Sequence, residues 1–76
     1  MDFPQYRKLS NDRSFYRINS NDNFEELQII GNSVILHRIR AEKYPEKLRI
    51  MEMLNCIDGY QKSTSDEWEM LEKRLH

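Results

Sequence analysis

The chain has few of the residues that small domains use as staples and hinges: one cysteine, two glycines and two prolines in 76 positions. With Cys56 alone, no intramolecular disulfide can form, and a small domain without disulfides fits a reducing compartment. The two glycines, Gly31 and Gly59, lie far apart, so no glycine-rich loop exists to cradle a phosphate. Long apolar runs are also missing. A membrane-spanning helix needs roughly 18 or more apolar residues in a row, and neither that nor a signal-peptide core is present, so the expected location is the cytoplasm. A strong charge of one sign is lacking too. The net charge is −1, which in itself calls for neither nucleic acid nor a membrane surface. The distribution is less even: residues 1–49 carry nine Lys/Arg and seven Asp/Glu, and residues 50–76 carry three and six.

The chemistry of catalysis is equally thin. A nucleophilic cysteine needs a base and a lowered pKa. Cys56 falls late in an apolar helical pattern, near a negative helix end, and reads as a small buried hydrophobe. His37 is the only histidine inside the chain, too few for a clustered zinc site, and it reads as a cross-strand partner of Glu26. Glu25 and Glu26 are adjacent, so on a strand they point to opposite faces and cannot act as a paired acid and base. Neither an enzyme nor a bound cofactor or metal is expected.

What is present is a patterned small domain. Apolar residues make up 38% of the chain and charged residues 33%, a balance that supports one folded unit over residues 1–76. A chain of this size buries only about 60% of its unfolded surface, which leaves it marginal as a monomer. The tripeptide Ser-Asn-Asp occurs twice, at Ser10–Asp12 and Ser20–Asp22. Both copies read as turns, because their side chains bond nearby backbone and Asn and Asp tolerate left-handed backbone. The segments that follow them share little else, so no internal repeat is inferred.

Gln5–Leu9 and Ser14–Ile18 are predicted to pair as a hairpin, with Lys8 opposite Phe15, Arg7 opposite Tyr16 and Tyr6 opposite Arg17. A second hairpin is predicted about Gly31-Asn32, where glycine suits the first central position of a type II′ turn. Folding there sets Ile29 against Val34, Leu27 against Leu36, Phe24 against Ile39, Glu25 against Arg38 and Glu26 against His37. Apolar meets apolar and acid meets base, as cross-strand pairing favours. The competing reading is a helix beginning at Asp22, with Glu25 completing a capping box and Gly31 as the C-cap.

Residues 44–59 are predicted as a helix opened by Pro45 and closed by Gly59. "YQKST" reads as a short strand or link. "SDEWEMLEKRLH" is a second helix capped by Thr64 or Ser65, with a narrow stripe of Trp68, Leu71 and Leu75. The order ββββαβα describes an α+β fold: a small antiparallel sheet with two helices packed on it.

Two candidate binding surfaces follow. On the first hairpin, Tyr6, Lys8, Phe15 and Arg17 share one face. Aromatics interleaved with cations could stack unpaired bases and contact phosphates; alternatively, the aromatics belong to the core and the cations snorkel at its edge. On the first helix, apolar residues cover more than half the circumference. With Leu48, Met51 and Leu54 set against the sheet, Ile50, Met53 and Ile57 form an outer flank that needs a cover. That cover is the Trp68 helix, a second copy of the chain or another protein. The leading expectation is a non-enzymatic protein–protein interaction module, with a homodimer as one form of it. The alternative is a nucleic-acid-binding module that uses the hairpin face.

Overall fold

The computed structural model describes residues 2–75. Strands β1 (Gln5–Leu9), β2 (Ser14–Ile18), β3 (Asn23–Ile30) and β4 (Ser33–Arg40) are followed by helix α1 (Tyr44–Leu54), strand β5 (Tyr60–Lys62) and helix α2 (Ser65–Glu72). The ββββαβα order and the α+β class are as the sequence predicts. All strands join one antiparallel sheet in the order β4-β3-β2-β1-β5. The short β5 adds to the free side of β1, a pairing the sequence does not announce.

Both hairpins hold the predicted register. Tyr6 faces Arg17, Arg7 faces Tyr16 and Lys8 faces Phe15. In the second hairpin Phe24 faces Ile39, Glu25 faces Arg38, Glu26 faces His37, Leu27 faces Leu36 and Ile29 faces Val34. Residues 23–30 are therefore strand, not helix. At the turn, Gly31 has φ +59°. Only this first central residue is left-handed, as a type II′ turn requires. Both Ser-Asn-Asp segments are turns. Asn11 Oδ1 accepts from Arg13 N at 2.9 Å while Asp12 is left-handed at φ 56°. In the second, Ser20 Oγ accepts from Asn23 Nδ2 at 2.8 Å.

Alternation along the strands divides the core between two sheet faces. Tyr16, Ile18 and Phe24 pack with Ile50 and Met53 under α1. Phe15 and Leu27 pack with Trp68 and Leu71 under α2. Each helix covers one face. For α2, Thr64 is the N-cap, its Oγ1 accepting from Glu67 N at 3.2 Å. The Trp68–Leu71 stripe lies where its spacing places it.

Helix α1 ends earlier than predicted. Its C-cap is Asn55, and Cys56, with φ 55°, takes the left-handed position beyond it. Ile57 N bonds to Glu52 O at 2.9 Å and Cys56 N to Met53 O at 3.1 Å, the paired bonds of a Schellman motif. Cys56 is exposed; it is not the buried hydrophobe expected, and Gly59 closes a later turn.

The reason for the early stop lies in β1. Arg7 is buried, and its Nε donates to Met53 O at 2.9 Å while Nη2 donates to Leu54 O at 3.2 Å. Nη1 donates to Tyr6 O at 2.8 Å. A strand residue thus supplies a donor to Leu54 O, which the last turn of the helix leaves open, and adds a second donor to Met53 O beside Cys56 N.

Arg7→Met should lower stability by about 1–3 kcal/mol in urea denaturation, because Leu54 O loses its donor and Met53 O loses one of two while both stay partly buried. Arg7→Lys should recover only part of this, since an ammonium lacks the planar fork that reaches both carbonyls. Cys56→Asn should raise stability by a few tenths of a kcal/mol up to about 1, because asparagine tolerates the left-handed region better.

Candidate functional site

The two faces of α1 carry opposite roles, reversed from the sequence expectation. Ile50 and Met53, expected on an exposed outer flank, are buried at 2% and 0% exposure. Leu48 and Met51, expected against the sheet, are exposed at 38% and 58%, beside Tyr44 at 74%, while Leu54, expected with them, is half-buried and does pack on the core. Ile57 is exposed as expected, but it lies beyond the helix end and not on the Ile50/Met53 flank. Apolar residues stand on both sides of α1, so their periodicity points to neither side strongly. Two arginines settle the matter. Arg7 ties the carbonyl end of α1 to β1, and Arg49 reaches down onto the sheet.

Arg49 precedes the buried Ile50 on α1. In the fold its guanidinium lies 5.4 Å from the Tyr16 ring centre and 5.3 Å from that of Phe24. It donates to Tyr16 Oη at 3.2 Å and Tyr60 Oη at 3.3 Å, and stands 3.7 Å from Glu26 Oε1. Tyr16 Oη in turn donates to Glu26 Oε2 at 3.3 Å. Burial, and then the charge of Glu26, raise the Tyr16 pKa, with Arg49 acting against them. For Arg49 burial lowers the pKa, but the hydrogen bonds to Tyr60 and Tyr16 prevail and leave it raised. This phenol stays neutral and this guanidinium stays charged, so the network is a polar seam of the core. Glu26 is committed to it, and the His37 ring bonds Gln28 Oε1 at 3.1 Å instead of the predicted glutamate.

The hairpin face of Tyr6, Lys8, Phe15 and Arg17 does come together, but beneath α2. Phe15 is buried and packs with Trp68 and Leu71. Tyr6 and Trp68 stand 6.4 Å apart between ring centres. Arg17 lies 5.0 Å from the Trp68 ring centre and Lys8 5.9 Å from that of Phe15. Lys8 also pairs with Asp12 at 3.1 Å and Glu67 at 3.4 Å. The rings a base would stack on already carry a helix and two cations. This is the core-and-snorkel arrangement, and the four residues form no open platform.

Arg17 also pairs with Glu25 at 2.6 Å. Glu25 accepts from Asn19 Nδ2 at 3.1 Å and meets Arg38, its predicted cross-strand neighbour, at 3.5 Å. These groups border an open cleft of about 490 Å³ between Asn19, Asn23 and the strand residues Arg38–Arg40. Its one carboxylate is thus occupied by three side chains. Burial raises the Glu25 pKa, but the bonds from Arg17 and Asn19 outweigh burial and leave it lowered. Among the described residues, no three His, Cys, Asp or Glu side chains are grouped to hold a metal, and no helix is long and apolar enough to cross a membrane.

The stabilisation from Glu25 is fully present above its ordinary pKa of 4.5 and is lost as pH falls through the lower folded value. Glu25→Gln should therefore flatten the acid limb of a stability-versus-pH curve just below pH 4.5, with a smaller change in its slope at neutral pH. Urea midpoints at stepped pH values measure this.

Among known proteins, the chain matches no family model, no curated protein and no solved structure.

Proposed function

We propose that this chain is a non-enzymatic protein–protein interaction module of the cytoplasm, and that its contact surface is the outward side of α1. The observation that carries the reading is the exposure of Tyr44, Leu48 and Met51 at helical spacing, directly opposite the buried Ile50 and Met53. At about 100° per residue the three fall within roughly 60° of arc. That is a continuous apolar stripe with no cover among the described residues, the feature that marks docking sites on small soluble domains. Met51 adds an adaptable thioether to it. The sequence argument that α1 is too apolar for one sheet face to cover supports the same reading, with the two sets of residues exchanged. A cytoplasmic setting agrees with an exposed, unpaired Cys56.

Met51→Glu should leave the fold intact by circular dichroism, because the side chain points to solvent. The same change should abolish capture of protein partners by the tagged chain from a native-host lysate supplemented with untagged chain. Capture that Met51→Glu leaves unchanged, or no capture of any protein by the wild type, would defeat the reading.

A further inference from the structure

The outward stripe of α1 has a period and a charge arrangement of its own. Tyr44, Leu48, Met51 and Asn55 recur at alternating spacings of four and three, and all are exposed. That is the a/d seam of a short heptad segment. Lys47 stands on one side of this seam and Glu52 on the other, about 60–80° from its centre. In heptad terms they are g and e positions, which in two-stranded parallel coiled coils pair between helices. Among the described residues neither side chain takes part in an ion pair.

We propose that a second copy of the chain occupies this stripe, with the two α1 helices parallel. Tyr44, Leu48 and Met51 of one copy then meet their counterparts, and Lys47 reaches the partner's Glu52. The proposal rests on the reading of α1 as the contact surface. Charge complementarity selects both the occupant and its direction. A two-fold axis along the helices brings unlike flanks together and makes two Lys47–Glu52 pairs. An antiparallel arrangement brings like flanks together, lysine against lysine and glutamate against glutamate, which opposes association. Glu52 has its own need for a cation. A hydrogen bond with Asp58, then partial desolvation and the Asp58 charge, push its pKa up, and an incoming ammonium relieves that repulsion.

The helix is 11 residues long, or about 16 Å at 1.5 Å per residue. That seam alone falls short of a standard interface of roughly 1,600 Å². The dimer should therefore be weak, with Kd between roughly ten micromolar and one millimolar.

Sedimentation equilibrium of the full chain, from micromolar to about millimolar concentration, tests this. The wild type should show concentration-dependent dimerisation, and Met51→Glu should be monomeric. Lys47→Glu and Glu52→Lys should each weaken the dimer, by roughly tenfold, because two favourable pairs become two repulsive ones. An equimolar mixture of the two variants should regain wild-type association, since Lys meets Glu again across the seam. All variants should keep the wild-type circular dichroism spectrum. A wild type that stays monomeric overturns the proposal; if Met51→Glu still removes capture of a different protein, the contact surface stands and only its occupant was wrong. Single charge variants that dimerise as well as the wild type overturn the parallel arrangement. A dimer indifferent to Met51→Glu overturns both the arrangement and the contact surface.

Discussion

A guanidinium buried without a carboxylate must find its acceptors elsewhere, and Arg7 finds them at the end of a helix. Among the described residues it forms no ion pair. Its partners are the Met53, Leu54 and Tyr6 carbonyls and, at 3.4 Å, Gln5 Oε1. Two unfavourable situations cancel there. A buried cation needs a compensating negative potential, and a helix C-terminus presents free carbonyls with about half a negative charge. In partly buried geometry such a contact contributes up to about 2 kcal/mol, a large share of the stability of a small domain. Its geometric effect is larger. With both acceptors on the last turn of α1, the helix is fixed in position and rotation over β1.

Once α1 is fixed this way, Ile50 and Met53 have to face the sheet and Tyr44, Leu48 and Met51 have to face water. Arg49 then falls over Tyr16 and Phe24. The other face repeats the device, with Arg17 over Trp68 and Lys8 over Phe15. In each case a cation lies on the rim of an aromatic cluster and is held by a nearby acid: Glu26 for Arg49, Glu25 for Arg17, Glu67 for Lys8. The sheet has two thin cores, one under each helix. Long cationic side chains extend those cores laterally, at edges that neither α1 nor α2 covers. Among the described residues one buried donor, Trp68 Nε1, has no partner, a local loss the surrounding packing must offset.

The strands were legible because two independent signals agreed. In the β3–β4 hairpin the turn glycine set a register, and that register placed apolar against apolar and Glu25 against Arg38. A helix over the same residues would have scattered those pairs. The α2 stripe was legible because Trp68 and Leu71 share one side of that helix and Met70 alone is apolar on the other. For α1, periodicity failed for a physical reason. Two apolar arcs on opposite sides give nearly cancelling preferences, and the choice passed to Arg7, a residue far away in sequence. A buried arginine that pairs with backbone carbonyls leaves no sequence signal, since carbonyls belong to every residue. The Schellman end of α1 was hidden similarly. It uses Cys56 in a left-handed conformation, where glycine would have announced it.

The same reasoning explains why the hairpin aromatics and the helix apolar residues, similar in composition, differ in what they offer. Tyr6 and Phe15 alternate with cations on strands that lie mid-sheet, where a helix on that face can cover them, and α2 does. The α1 stripe is on the far side of an element that is already a cover. Among the described residues nothing passes over it: after α1 the chain forms β5 and then packs on the opposite sheet face as α2. Burying Leu48 and Met51 within the monomer would require α1 to rotate by nearly half a turn. That would pull the Met53 and Leu54 carbonyls off Arg7 and lift Arg49 from its rings. The interactions that hold the helix down are therefore the ones that keep its second apolar side in water, and no described residue can cover that side without dismantling them.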